Sequence, residues 1–95
     1  MKLKNSISIN TLLKEYEDKN VFNDAQLCNI KLGLIMGDEV SIYANRSYHS
    51  GQMQMIRKGL EQHIDISKYA DPRVPLRDMI QMYQKLCKQK GVPVK

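Results

Sequence analysis

Gln26-Leu-Cys-Asn-Ile-Lys-Leu-Gly-Leu34 returns 26 residues later as Gln52-Met-Gln-Met-Ile-Arg-Lys-Gly-Leu60. The same offset relates Val40-Ser-Ile-Tyr-Ala-Asn45 to Ile66-Ser-Lys-Tyr-Ala-Asp71. A pattern repeated at a fixed period means stacked copies of one supersecondary unit. The first half of the unit reads as a helix. Leu27, Ile30 and Leu34 form an apolar stripe at helical spacing, Phe22 precedes Asn23 or Asp24 as staple and N-cap, and Gly37 suits the position just past the helix end. The second half, taken alone, could alternate as a strand rich in branched and aromatic residues. The comparison of copies decides it. What both keep is Val40, Tyr43, Ala44 and Ile66, Tyr69, Ala70, which is i, i+3, i+4 and not an alternation. Each unit is therefore a longer helix, a bend and a short helix carrying a buried Tyr. Asp65, and less well Glu39 or Asp38, would cap the short helix. Gly33 and Gly59 sit inside helices, where glycine costs about 1 kcal/mol relative to alanine. Their recurrence predicts a close backbone approach between neighbouring units.

Upstream, Ile9, Leu12, Leu13 and Tyr16 are spaced i, i+3, i+4, i+7, the signature of an amphipathic helix over 9–19. Ser8 or Asn10 would cap it, Asn20 would end it, and residues 1 to 8 are expected to be ragged. Downstream of Asp71-Pro72 a degenerate third copy begins. Val74 stands for Tyr48, Met79 for Met53, Met82 for Ile56 and Leu86 for Leu60. Pro75 suits the first turn of a helix reaching about Lys90. Lys85 replaces the repeated glycine, and the Tyr-Ala half is missing. Such a unit fits the end of a stack, where a polar face must turn outward. Gly91 and Pro93 stop the helix, and the tail is expected to fray. The chain is thus read as one all-α domain: N-terminal helix 9–19, first repeat 22–47, second repeat 48–73, capping repeat 74–90 and tail 91–95.

Composition narrows the function classes. A chain of 95 residues with 42% hydrophobic content can build one modest core. It has no Trp, one Phe and six Met, and methionine fills irregular gaps and adaptable faces. No apolar run approaches the roughly 18–20 residues that span a bilayer. The basic N-terminus lacks an apolar h-region and a small-residue cleavage site. A soluble, cytoplasmic protein with no membrane partner is expected. Cys28 and Cys87 make neither a CxxC motif nor a zinc spacing. A reduced compartment suits them, with a single disulfide as the alternative. Charge is unevenly placed. Residues 1–72 hold nine basic and nine acidic side chains, whereas Arg73, Arg77, Lys85, Lys88, Lys90 and Lys95 face only Asp78 in the remainder. The whole +5 excess lies in that last segment.

The consensus Gln-[Leu/Met]-x-x-Ile-[Lys/Arg]-x-Gly-Leu, followed by [Glu/Asp]-[Val/Ile]-Ser-x-Tyr-Ala-[Asn/Asp], resembles a short helical repeat of bacterial proteins, including those of plasmids, integrative elements and phages. The resemblance covers about Phe22 to Leu86. It implies a scaffold with no established catalytic residue, often appended to other domains. This chain departs at Ile35, where the repeat usually has a polar residue, and at His63, where glycine is typical. A free-standing module of this kind looks like a small accessory or inhibitor protein, a class that includes anti-CRISPR and similar counter-defence factors.

Few residues invite chemistry. His49 and His63 lack ligand partners at metal-helix spacing. Ser41 and Ser67 recur in equivalent places, which suits structural hydrogen bonds better than a nucleophile. No glycine-rich phosphate loop is present. Asp38 and Glu39, being adjacent, diverge. No enzyme, cofactor or metal is expected. Tyr43 and Tyr69 could stack on bases, but their conserved neighbourhood of Ala within both copies favours plugging between units. Met53, Met55, Met79 and Met82 are core candidates. Met55 and Ile35 nevertheless fall off the main stripes, and at least one of them should form an exposed apolar contact. Arg73, Arg77, Lys85, Lys88 and Lys90 are candidates for a partner surface. The leading expectation is a protein partner met by Ile35 or Met55 together with this basic end. The alternative is nucleic acid, its phosphates neutralised by the C-terminal helix.

Overall fold

In a computed structural model, which describes residues 8–93, four α-helices and two 3-10 turns follow one another with no strand among the described residues. Residues 1–7 and 94–95, the candidate cation Lys95 among them, lie outside that range. The helices are α1 (Ile9–Asp18), α2 (Asp24–Met36), α3 (Ser50–Glu61) and α4 (Leu76–Lys90). The 3-10 turns are Val40–Ile42 and Ile66–Lys68, the short second halves of the two repeats. The main packing runs between consecutive helices, α1 on α2, α2 on α3 and α3 on α4. The result is a slab of 38 × 32 × 18 Å. This nearest-neighbour arrangement is what a stack of repeats produces.

The helix starts follow the period residue for residue. Asn23, His49 and Pro75, each 26 positions apart, are the N-caps of α2, α3 and α4. Asn23 and Gln26 form a reciprocal capping box, each accepting the other's backbone N–H at 2.8 Å. His49 repeats it with Gln52: its Nδ1 accepts the backbone N–H of Gly51 and of Gln52, and Gln52 Oε1 accepts the His49 N–H. The glutamines also reach forward. Gln26 Nε2 donates to the Tyr48 carbonyl at 2.7 Å, and Gln52 Nε2 to the carbonyls of Pro72 and Val74 at 3.0 and 2.8 Å. Tyr48 and Val74 stand immediately before the next helix's cap. Each glutamine therefore closes its own helix start and pins the entrance to the following one. Ser8 caps α1, accepting the Thr11 N–H at 3.1 Å, and Asn20, with φ 55°, ends the segment in a left-handed turn. The helix ends repeat too. Gly37 (φ 78°) closes α2, and His63 (φ 58°) holds the equivalent left-handed position after α3.

The core is assembled from the repeated positions. Ile30, Met53, Ile56, Tyr43, Tyr69, Met79, Tyr83 and Cys87 are fully or almost fully buried. The close approach at Gly33 and Gly59 differs from expectation. It joins each glycine to the tyrosine of its own unit, not backbone to backbone between units. A Cβ on Gly33 would collide with the Tyr43 hydroxyl, and one on Gly59 with the Tyr69 hydroxyl and Ile66. The bend folds the 3-10 turn back so that its tyrosine lies on the glycine of the preceding helix. Tyr69 then donates its hydroxyl proton to the Met55 carbonyl at 2.7 Å, whereas the Tyr43 hydroxyl, equally buried, has no hydrogen-bond partner. Burial pushes both phenols well above their ordinary range.

This asymmetry gives opposite outcomes for one chemical change. Tyr69→Phe removes the hydroxyl's hydrogen bond to the Met55 carbonyl and should cost about 1 kcal/mol in urea unfolding, whereas Tyr43→Phe removes an unpaired hydroxyl and should be neutral or stabilising. Gly33→Ala should cost about 1–3 kcal/mol by overpacking, and combining it with Tyr43→Phe should recover part of that loss.

Candidate partner-binding surfaces

An apolar stripe on α2 and a basic face on α4 are the two surfaces with unusual chemistry. Helix α2 is apolar on more than its buried side. Gln26, Ile30 and Gly33 face inward, yet Leu32, Ile35 and Met36 are exposed by 40%, 56% and 61%. With the exposed Cys28 they follow i, i+4, i+7, i+8, one continuous outward stripe. The same four positions in α3 hold Gln54, Lys58, Glu61 and Gln62. The fold therefore does not require apolar residues there.

Met55 does not join this surface. It is 7% exposed and belongs to the core. Its repeat equivalent shows why. Asn29 on α2 points across to α3, donating to the Ser50 carbonyl at 3.2 Å and accepting from Arg57 Nε at 3.4 Å. The position faces the next helix, and in α3 the next helix is α4. Met55 is therefore covered by α4, as Asn29 is covered by α3.

The basic residues divide by what already holds them. Arg73 is bound to Asp71 through two hydrogen bonds, Nε to Oδ1 and Nη2 to Oδ2, at 3.1 and 2.9 Å. Arg73's side-chain hydrogen bonds hold the Asp71 carboxyl down at about 2. Arg77 lies 4.0 Å from Asp78. Lys90 donates to the carbonyls of Gln62 and His63 at the end of α3, where the helix dipole favours a cation. Lys85 and Lys88 are exposed on α4 and make no ion pair among the described residues. Helix α3 lies between α2, which carries the apolar stripe, and α4, which carries the basic face.

A third cluster joins the two repeats and was hidden in the sequence. Asp38, in the bend after α2, meets Glu61 of α3, whose carboxylate is paired with Arg57 at 3.1 Å. Asp38 Oδ2 is shielded from solvent and has no hydrogen-bond partner. Burial, then the hydrogen bond and negative charge of Glu61, push the Asp38 carboxyl up to about 6, with Arg57 pulling it partly back. Met36, Gly37, Asp38, Glu39, Leu60, Glu61 and His63 line a cavity of about 480 Å³ at this junction. No group of three or more His, Cys, Asp or Glu among the described residues could hold a metal ion. Among the same residues no helix is long and apolar enough to cross a membrane. Cys28 and Cys87 are free thiols, the first exposed and the second buried.

Compared with protein-family models, with curated proteins and with solved structures, the chain gives no match. What can be argued about its role therefore comes from its own residues.

The Asp38 environment sets a pH dependence. Its folded value lies above the ordinary 3.8. Between those values the native state holds more protons than the unfolded chain, so the protonated pair's stabilising contribution is present at low pH and lost as pH rises through about 6. Asp38→Asn should raise the melting temperature at pH 7.5 and do so much less at pH 4.5, as followed by thermal unfolding at both values.

Proposed function

We propose that the chain is a non-catalytic protein-binding module, a small inhibitor or adaptor, that docks through the outward stripe of α2. The observation that carries this reading is the contrast between repeats. Leu32, Ile35 and Met36 stand exposed where the second repeat carries Lys58, Glu61 and Gln62. Contiguous exposed apolar surface on a small protein marks an interaction site more often than it serves the fold. The resemblance of the repeat to those of plasmid and phage proteins supports a setting in a mobile element, anti-CRISPR-type counter-defence included. The absence of any converging nucleophile and base in the sequence supports a role without catalysis.

A second reading uses nucleic acid, and it rests on Lys85 and Lys88, exposed side by side on the terminal helix without ion pairs among the described residues. Phosphate binding through them would weaken for every sequence when they are reversed in charge, with a shallower salt dependence.

The deciding experiment is affinity capture from a bacterial lysate treated with nuclease, comparing the wild type with Ile35→Glu and with the Lys85→Glu/Lys88→Glu pair. Glutamate already occupies the position equivalent to Ile35 in the second repeat, so the variant should fold. One protein retained stoichiometrically, and at least about tenfold less by Ile35→Glu, is the expected result. Equal retention by Ile35→Glu, or loss of all retained protein on nuclease treatment, would sink the reading in favour of the basic face.

A further inference from the structure

The cavity between α2 and α3 has a counterpart between α3 and α4, and the two are the same repeat feature seen twice. Gly37, Asp38, Glu39, Leu60 and His63 line the first. Their equivalents 26 residues on, His63, Ile64, Asp65, Leu86 and Gln89, line the second. The second is the smaller, about 250 Å³ against 480 Å³. Lys90, which also lines it, places its ammonium on the carbonyls of Gln62 and His63. The chain thus supplies its own cation to the second cavity.

The first cavity has no such lysine, because the position equivalent to Lys90 is Ile64. The junction around it differs as well. Where the second junction has Ile64 and Cys87, exposed by 8% and 0%, the first has Asp38 and Glu61. An apolar pair evidently satisfies the fold at this spot, and a half-buried carboxyl pair is costly by comparison. The groups facing Asp38 are Glu61 and Arg57 from α3, Glu39 from its own loop, His63 beyond α3, and the Tyr43 hydroxyl from the 3-10 turn. Arg57 is the one cation among them, and it is already engaged by Glu61. Asp38 Oδ2 and the fully buried Tyr43 hydroxyl both lack hydrogen-bond partners. Met36 belongs at once to the cavity wall and to the exposed stripe, so the cavity opens directly onto the proposed docking face.

We propose that the first cavity receives a lysine or arginine side chain of the partner protein, in the place Lys90 takes in the second, while apolar residues of that partner lie along Leu32, Ile35 and Met36. The inference rests on the protein-binding reading and specifies the partner's chemistry: a cation flanked by apolar residues at helical spacing. A cation beside Asp38 favours its carboxylate, so binding releases a proton and strengthens as pH rises through the range in which free Asp38 titrates, about 6.

The test uses blocked 12-residue amphipathic helical peptides with one arginine, and matched peptides with citrulline or glutamate in its place. They are titrated into the full chain while the amide signals of Gly37, Asp38, Leu60 and His63 are followed by NMR. Saturable shifts with the arginine peptide are expected, with about tenfold weaker binding for citrulline, for Asp38→Asn, and for the wild type at pH 5 relative to pH 7.5. Asp38→Asn should fold, since Ile64 holds the equivalent place uncharged. Equal affinity for all three peptides, shifts confined to α4, or no saturable shift would overturn the proposal. So would a mass that grows above 11.0 kDa with concentration in the absence of peptide, since a second copy would then fill the cavity. Equal binding of arginine and citrulline peptides, lost in Ile35→Glu, would leave apolar docking standing and remove only the cation site.

Discussion

The side chain of the repeated glutamine holds the stack together at the point where stacking is hardest to arrange, the passage from one unit to the next. A helix begins with backbone N–H groups that have no partner inside it, and a chain entering a buried junction brings carbonyls that also need partners. Gln26 and Gln52 answer both needs with one amide. The oxygen accepts at the helix's own cap, and the nitrogen donates to the carbonyls that lead into the following helix. Both glutamines are buried, so losing the amide would leave several polar groups unsatisfied at once, each costing about 1–3 kcal/mol. In the third repeat Asp78 stands at the glutamine position, and no further helix follows among the described residues.

With that framework set, the two junctions can differ in chemistry while sharing a shape. At the junction of α3 and α4 Ile64 and Cys87 are buried, and Lys90 lies on the carbonyls that end α3. Between α2 and α3 the same places hold Asp38 and Glu61, and the cavity stands open beside an apolar stripe. One junction is built for stability. The other accepts a raised carboxyl, an unpaired phenol and exposed hydrophobic surface together, a concentration of costs more in keeping with a binding site than with a scaffold.

Much of the architecture was legible because the period made each residue a control for another. Asn23 and His49 differ in size and ring, yet the offset brings both to a helix cap, where each offers a side-chain acceptor. The glycines were visible as special, but their partners were not, since nothing in a pattern of recurrence says which recurring residue touches which. Gly33 meets Tyr43 because the bend folds the unit on itself, a fact of three dimensions. Met55 stood off the stripes because its equivalent is the polar Asn29, so the inward face the two share showed no apolar repeat. Ile35 stood out for the complementary reason, being apolar where the repeat is polar. The Asp38–Glu61 contact escaped altogether. Asp38 aligns with Ile64 and Glu61 with Ile35, and a comparison that searches for sameness passes over a pair present at one junction only.

The interactions that make each unit span less than one and a half periods. The capping boxes close over three residues, the glycine–tyrosine contacts over ten, and the glutamine reaches over 20 and 22. Low sequence separation of this kind favours fast folding, since little loop entropy must be lost before a contact forms. It also makes length a free variable. A further period spliced in at a helix cap would find its contacts within itself and its immediate neighbours, and the side chains at the seam would need only partners of the kind they already have. The tie from one unit to the next is a single amide, and the last described copy carries Asp78 in its place.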